Sequence, residues 1–128
     1  SKFNTPPTYA IYILKLMLDW ITQEIGGLEA MERRNREKAA VLYDVLDQSN
    51  LFTGTVAKAD RSLMNIPFVT PSAELDPNSP PKAKPAGLVN LKGHRSVGAC
   101  RASIYNAMPK AGVEKLVELM DRFEKENG

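Results

Sequence analysis

A chain of 128 residues with 43% hydrophobic and 25% charged side chains has ordinary globular composition and enough length to bury one core. Its net charge of +2, with no aromatic residues interleaved among the basic ones, excludes the footprint of a dedicated nucleic-acid binder. The single cysteine, Cys100, excludes an internal disulfide and suits a reducing compartment.

The chain opens with SKFNTPPTYA. Thr5 ahead of Pro6 reads as a hydroxyl N-cap with proline at the first helical position, and Thr8 offers a second cap. A helix is expected to run to about Ile25, where Gly26 and Gly27 stop it. Its stretch YAIYILKLMLDWI is apolar almost all round, so it calls for enclosure by other structure, either a further domain or a partner. Lys15 and Asp19 interrupt it, and it falls short of the roughly 20 apolar residues a membrane span needs.

A second helix is expected over residues 28–48, with Leu28, Met31, Asn35, Ala39, Leu42 and Leu46 forming an inward stripe at spacings of three and four. Glu29–Arg33 and Glu32–Arg36 pair on the outside, and MERRNREK reads as a solvated face. GTVAKAD reads as a strand and turn, and SLMNIPFVT as a strand with Pro67 near an edge or end. Residues 71–87 hold five of the nine prolines and read as a surface loop. LVNL at residues 88–91 is a short strand, and RASIYN at 101–106 is another. After Pro109 and Gly112 the last helix places Val113, Leu116, Val117, Met120 and Phe123 on one stripe. This order gives an α+β fold, with helices packed on a small, mainly antiparallel sheet and preceded by a long apolar helix.

Between the last two strands lies GHRSVGACR, where His94, Arg95 and Arg101 stand within a few residues. Arginine presents a planar fork of donors matched to a carboxylate or phosphate. Gly93 and Gly98 allow the backbone to bend close to a ligand. A ligand with two acidic ends suits that arrangement, but spacing alone equally allows a surface His–Arg pair with no ligand. Cys100 reads as a packed residue, not a nucleophile. One His and one Cys do not make a zinc site, and no phosphate-cradling or dinucleotide fingerprint is present.

Longer strings carry more. NTPPTYAIY at residues 4–12, GGLEAMERRNREKAAVLYDVLD, RSLMNIPF and LVNLKGHRSVGACRASIYNAMP at 88–109 occur in the order found in the C-terminal third of the phosphoserine aminotransferase family, which the chain resembles over nearly its whole length. The resemblance implies the small C-terminal domain of a homodimeric, cytoplasmic, pyridoxal 5'-phosphate-dependent transaminase of class V and fold type I. It implies transfer of an amino group from glutamate to 3-phosphohydroxypyruvate, giving phosphoserine and 2-oxoglutarate in serine biosynthesis, with a further role in pyridoxine synthesis in many bacteria. It implies that Arg101 grips the substrate α-carboxylate and that His94 and Arg95 bind the distal carboxylate or phosphate. Asn4 and Thr5 would reach the cofactor phosphate of the neighbouring subunit. Residues 1–27 would form the segment and helix leading from the large domain, and residues 28–128 the small domain. No metal, membrane or nucleic acid is implied.

The family's Schiff-base lysine belongs upstream of these strings, and none of the ten lysines here lies in a segment resembling its motif. The sequence therefore reads as a C-terminal fragment, inactive alone. Gly98-Ala99-Cys100 replaces the two glycines and larger apolar residue common in relatives, and DPNSPPKAKPAG is too rich in proline for a full helix. Two rivals remain at this point: another class V transaminase, acting on alanine or serine with glyoxylate, and a non-enzymatic anion-binding module.

Overall fold

The computed structural model describes residues 3–70 and 100–127. The chain divides into two compact units, Ser1–Arg34 and Asn35–Gly128.

In the first unit, helix α1 spans Thr8–Trp20. Its N-cap is Pro7, with no side-chain cap, so Thr5 does not start the helix. The physical reason is the Pro-Pro step: a residue followed by proline is pushed out of the α region, which bars Pro6 from helical backbone. Thr8 instead turns back, its amide and hydroxyl both donating to the Pro6 carbonyl at 2.8 and 3.2 Å. The helix widens into one π turn, Ile21–Ile25. It then closes through the amides of Gly26 and Gly27, which both donate to the Ile21 carbonyl at 3.0 and 2.9 Å. Gly26 sits at φ +96°, a left-handed position where a Cβ is strained, so the glycine pair stops the helix as its sequence predicts. None of Thr8–Trp20 is buried. Tyr9, Ile11, Tyr12, Ile13, Leu14, Leu16 and Leu18 are all exposed.

Helix α2, Leu28–Gln48, runs through the division between the units. Met31, Asn35, Ala39, Leu42 and Leu46 of the expected stripe are buried, but Leu28 is 72% exposed. A helical side chain leans toward the N-terminus, so at the first helical residue it projects beyond the helix end. Lys38, outside the predicted stripe, is fully buried.

The second unit continues with strand β1, Thr53–Gly54, a 3₁₀ turn at Lys58–Asp60, strand β2, Asn65–Val69, strand β3, Cys100–Ser103, and helix α3, Lys110–Asn127. Among the described residues the strands form one antiparallel sheet in the order β1-β2-β3, which makes the fold α+β as expected. The strand expected at 88–91 lies outside the described residues. The strand expected over 101–106 starts one residue earlier and ends at Ser103, because the chain turns at Tyr105, whose carbonyl accepts from the Met108 amide at 2.9 Å.

Pro67 lies mid-strand in the central strand, not at an edge or end. The register makes this tolerable. Pro67 faces Arg101, and the Ile104 amide donates to the Met64 carbonyl at 2.8 Å, so bonds to β3 fall on residues 64, 66 and 68. Residue 67 therefore turns its missing donor toward β1, which has already ended at Gly54. The Thr55 amide still donates to the Pro67 carbonyl at 3.4 Å, and only the returning bond is lost.

One sheet face holds Ile66, Phe68, Cys100, Ala102 and Ile104, all in the core with Leu42 and Leu46 of α2 and Val113, Leu116, Met120 and Phe123 of α3. Phe52 meets Phe68 edge to face at 5.9 Å between ring centroids and lies 6.0 Å from Phe123. The chain leaving α2 is tied to α3: the Ser49 hydroxyl donates to Glu124 at 2.7 Å, and the Asn50 amide donates to the other carboxylate oxygen at 2.9 Å.

Candidate functional site

The alternation of β3 decides what Arg101 can do. Cys100, Ala102 and Ile104 point into the core, so Arg101 and Ser103 stand on the opposite face of the sheet, with Asn65 and Pro67 of β2. Arg101 is exposed, and its guanidinium has no hydrogen bond or ion pair among the described residues. Beside it, the Ser103 hydroxyl donates to Asn65 Oδ1 at 3.1 Å and the Tyr105 hydroxyl donates to the same oxygen at 3.4 Å. The result is a polar sheet face carrying an open cationic fork, which can take a planar anion through two parallel hydrogen bonds.

The other side of this strand end is pinned from within. The Lys38 amine, fully buried, donates to the carbonyls of Ile104 at 3.3 Å, Tyr105 at 2.8 Å and Met108 at 2.9 Å. Asn35, one turn earlier on α2, donates through Nδ2 to Asn106 Oδ1 at 2.8 Å. Neither role was read from the sequence, because a lysine is normally placed on the solvated face. The signal was present: Met31, Asn35, Lys38 and Leu42 recur at spacings of four, three and four.

His94 and Arg95, the expected distal-anion pair, lie outside the described residues. Asn4 and Thr5 belong to the first unit; both are exposed just ahead of α1, and their side chains make no hydrogen bond among the described residues. An amide and a hydroxyl are neutral donors whose chemistry fits phosphate oxygens. Cys100 is 4% exposed and sits in the core, as a packed residue should.

A separate charged cluster ties α2 to the loop before β2. The Arg61 guanidinium clasps Asp47 with two hydrogen bonds, one of 3.0 Å, and stacks over Tyr43 at 4.5 Å from the ring centre. These bonds pull the Asp47 carboxyl down to about 2, with Lys58 assisting at 3.4 Å. Burial raises the Tyr43 phenol against the opposing pull of Arg61. With its cation committed to Asp47, this cluster is structural. Among the described residues no group of acidic, His and Cys side chains can hold a metal ion, and no helix is long and apolar enough to cross a membrane.

The aminotransferase class-V family matches residues 1–116. The phosphoserine aminotransferase of Bacillus cereus is 57% identical over 127 residues, covering 99% of this chain and 35% of that protein. That of Streptococcus suis is 55% identical over 128 residues, with 99% and 35% covered. Among solved structures, the phosphoserine aminotransferase of Bacillus circulans subsp. alkalophilus superposes with a TM-score of 0.89 at 46% identity, over 98% of this chain and 35% of that one. The PLP-bound enzyme of Trichomonas vaginalis gives 0.82 at 40% identity, over 93% and 34%. The chain thus spans about a third of the length of the relatives it matches. On the family match and these near full-length alignments of its own sequence, the chain belongs to the class-V aminotransferases and resembles, within them, the phosphoserine aminotransferases.

Proposed function

We propose that this chain is the substrate-holding part of a pyridoxal-phosphate-dependent phosphoserine aminotransferase, acting in the cytoplasm as a homodimer in serine biosynthesis. The reaction moves the amino group of glutamate to 3-phosphohydroxypyruvate, leaving phosphoserine and 2-oxoglutarate. The observation that carries this reading is the exposed Arg101 fork, unpaired among the described residues, on an otherwise half-buried polar sheet face. Every one of these substrates has a carboxylate at one end and a second anion at the other. Arg101 takes the α-carboxylate through two parallel bonds, and His94 with Arg95 takes the distal carboxylate or phosphate. Holding both ends fixes the α-carbon in one orientation, so the contribution of these residues is mainly positional. Asn4 and Thr5 would donate to the cofactor phosphate of the neighbouring subunit. The cofactor, when bound, supplies the electron sink for the carbon chemistry.

In support, none of the ten lysines lies in a segment resembling the family's Schiff-base motif, and Lys38 is buried on three carbonyls. The chain alone therefore does not turn over substrate; residues 1–27 lead from the domain that does the chemistry. Two measurements test this. Mixed with pyridoxal phosphate, the isolated chain is expected to show no stoichiometric visible band from covalently held cofactor, and no phosphoserine turnover; both appearing together defeats the reading. A chimaera in which these 128 residues replace the matching stretch of the Bacillus cereus enzyme is expected to be active. There, Arg95→Ala should lower phosphoserine turnover sharply; unchanged turnover would favour a transaminase for substrates lacking the distal anion.

A further inference from the structure

We infer that Lys38 and Asn35 are positioning residues for Arg101: from α2 they lock the turn that ends β3 and so fix where the guanidinium stands. This rests on the reading of Arg101 as the carboxylate grip. Three observations carry it. First, Lys38 is fully buried, and an ammonium is costly to bury unless its donors are used. Its donors go to three carbonyls of one short segment, those of Ile104, Tyr105 and Met108. Second, the segment is held twice. Asn35, also buried, reaches Asn106 within it at 2.8 Å, and its own Oδ1 has no partner among the described residues. Two polar side chains at i and i+3 on one helix face therefore converge on one turn. Third, that turn begins where the β2–β3 ladder stops, with the Ile104 amide on Met64 as its last bond.

Strand geometry connects the turn to the site. Arg101 and Ile104 are three residues apart on the same strand, and side chains alternate faces, so a slip of one residue would send Arg101 to the core face. A carbonyl cluster that begins three residues after Arg101 and is fastened to a buried ammonium resists both slip and fraying at the C-terminal end of β3. An apolar side chain at residue 38 would fill the space but leave the three carbonyls without that donor.

The test is a double-mutant cycle in the chimaera with the Bacillus cereus enzyme, reading the KM for glutamate separately from kcat. Lys38→Met is expected to raise KM about tenfold with kcat changed less, and Lys38→Arg to restore part of the loss. Arg101→Ala alone should raise KM more. In the Arg101→Ala background, Lys38→Met should add little, since its effect passes through Arg101. If Lys38→Met does not fold, Asn106→Ala removes only the Asn35 tie and runs the same cycle. An equal KM loss from either variant with and without Arg101 overturns the inference, as does an unchanged KM in a folded variant. If Arg101→Ala itself leaves KM unchanged, the reading of the site fails instead.

Discussion

Asp47 illustrates how one side chain's partners set a measurable response. The guanidinium of Arg61 holds its carboxyl at about 2, below an unfolded-chain value near ~3.9. A group depressed in the folded state contributes stability above its unfolded pKa and loses it as pH falls through the folded value. Glu124 moves the same way, lowered first by the Ser49 hydroxyl and then by the Asn50 amide. The melting temperature is therefore expected to fall as pH drops from about 5 toward 2, and Asp47→Asn should flatten that fall. Equal pH slopes in the two proteins would contradict this assignment. At Arg101 the logic reverses: its guanidinium has no partner among the described residues to answer to, which leaves it available to a ligand.

The elements form for reasons that differ in how openly the sequence displays them. The stripes of α2 and α3 follow the 3.6-residue period and appear as expected at Met31, Asn35, Ala39, Leu42 and Leu46, and at Val113, Leu116, Met120 and Phe123. The alternation of β2 and β3 likewise sends Ile66, Phe68, Cys100 and Ala102 inward. What was hidden depended on contacts beyond the local pattern. The period places residue 38 on the inward stripe, but that a lysine can stay there depends on three carbonyls of a distant turn, which local spacing does not display. Pro67 is tolerated mid-sheet because β1 is two residues long, a fact about the neighbouring strand. Thr5 failed as a cap for a local reason that was legible, the adjacent prolines. The element packing has its own test. Phe68 is fully buried against Phe52, so Phe68→Ala should cost about 3–5 kcal/mol in the unfolding free energy of the chain. A loss under about 1 kcal/mol in denaturant titration would contradict the core described for β2.

At the scale of the molecule, two compact units carry different parts of the same proposed task. The first presents Asn4 and Thr5 ahead of a helix with seven large apolar side chains exposed. The second presents Arg101 on a sheet braced by α2 and α3. Of the expected grip, Arg101 is where alternation puts it, while His94 and Arg95 lie outside the described residues. That Arg101 faces outward was legible from period-two patterning; that its strand end is fastened to α2 was not, since the fastening spans about 66 to 71 residues of sequence. The proposed hold of Arg101 on the substrate α-carboxylate meets its sharpest test in steady-state kinetics of Arg101→Ala in the Bacillus cereus chimaera. A fall in kcat/KM for glutamate of roughly 100-fold, about 3 kcal/mol, is expected, with the melting temperature retained. A folded variant with unchanged kcat/KM would contradict it.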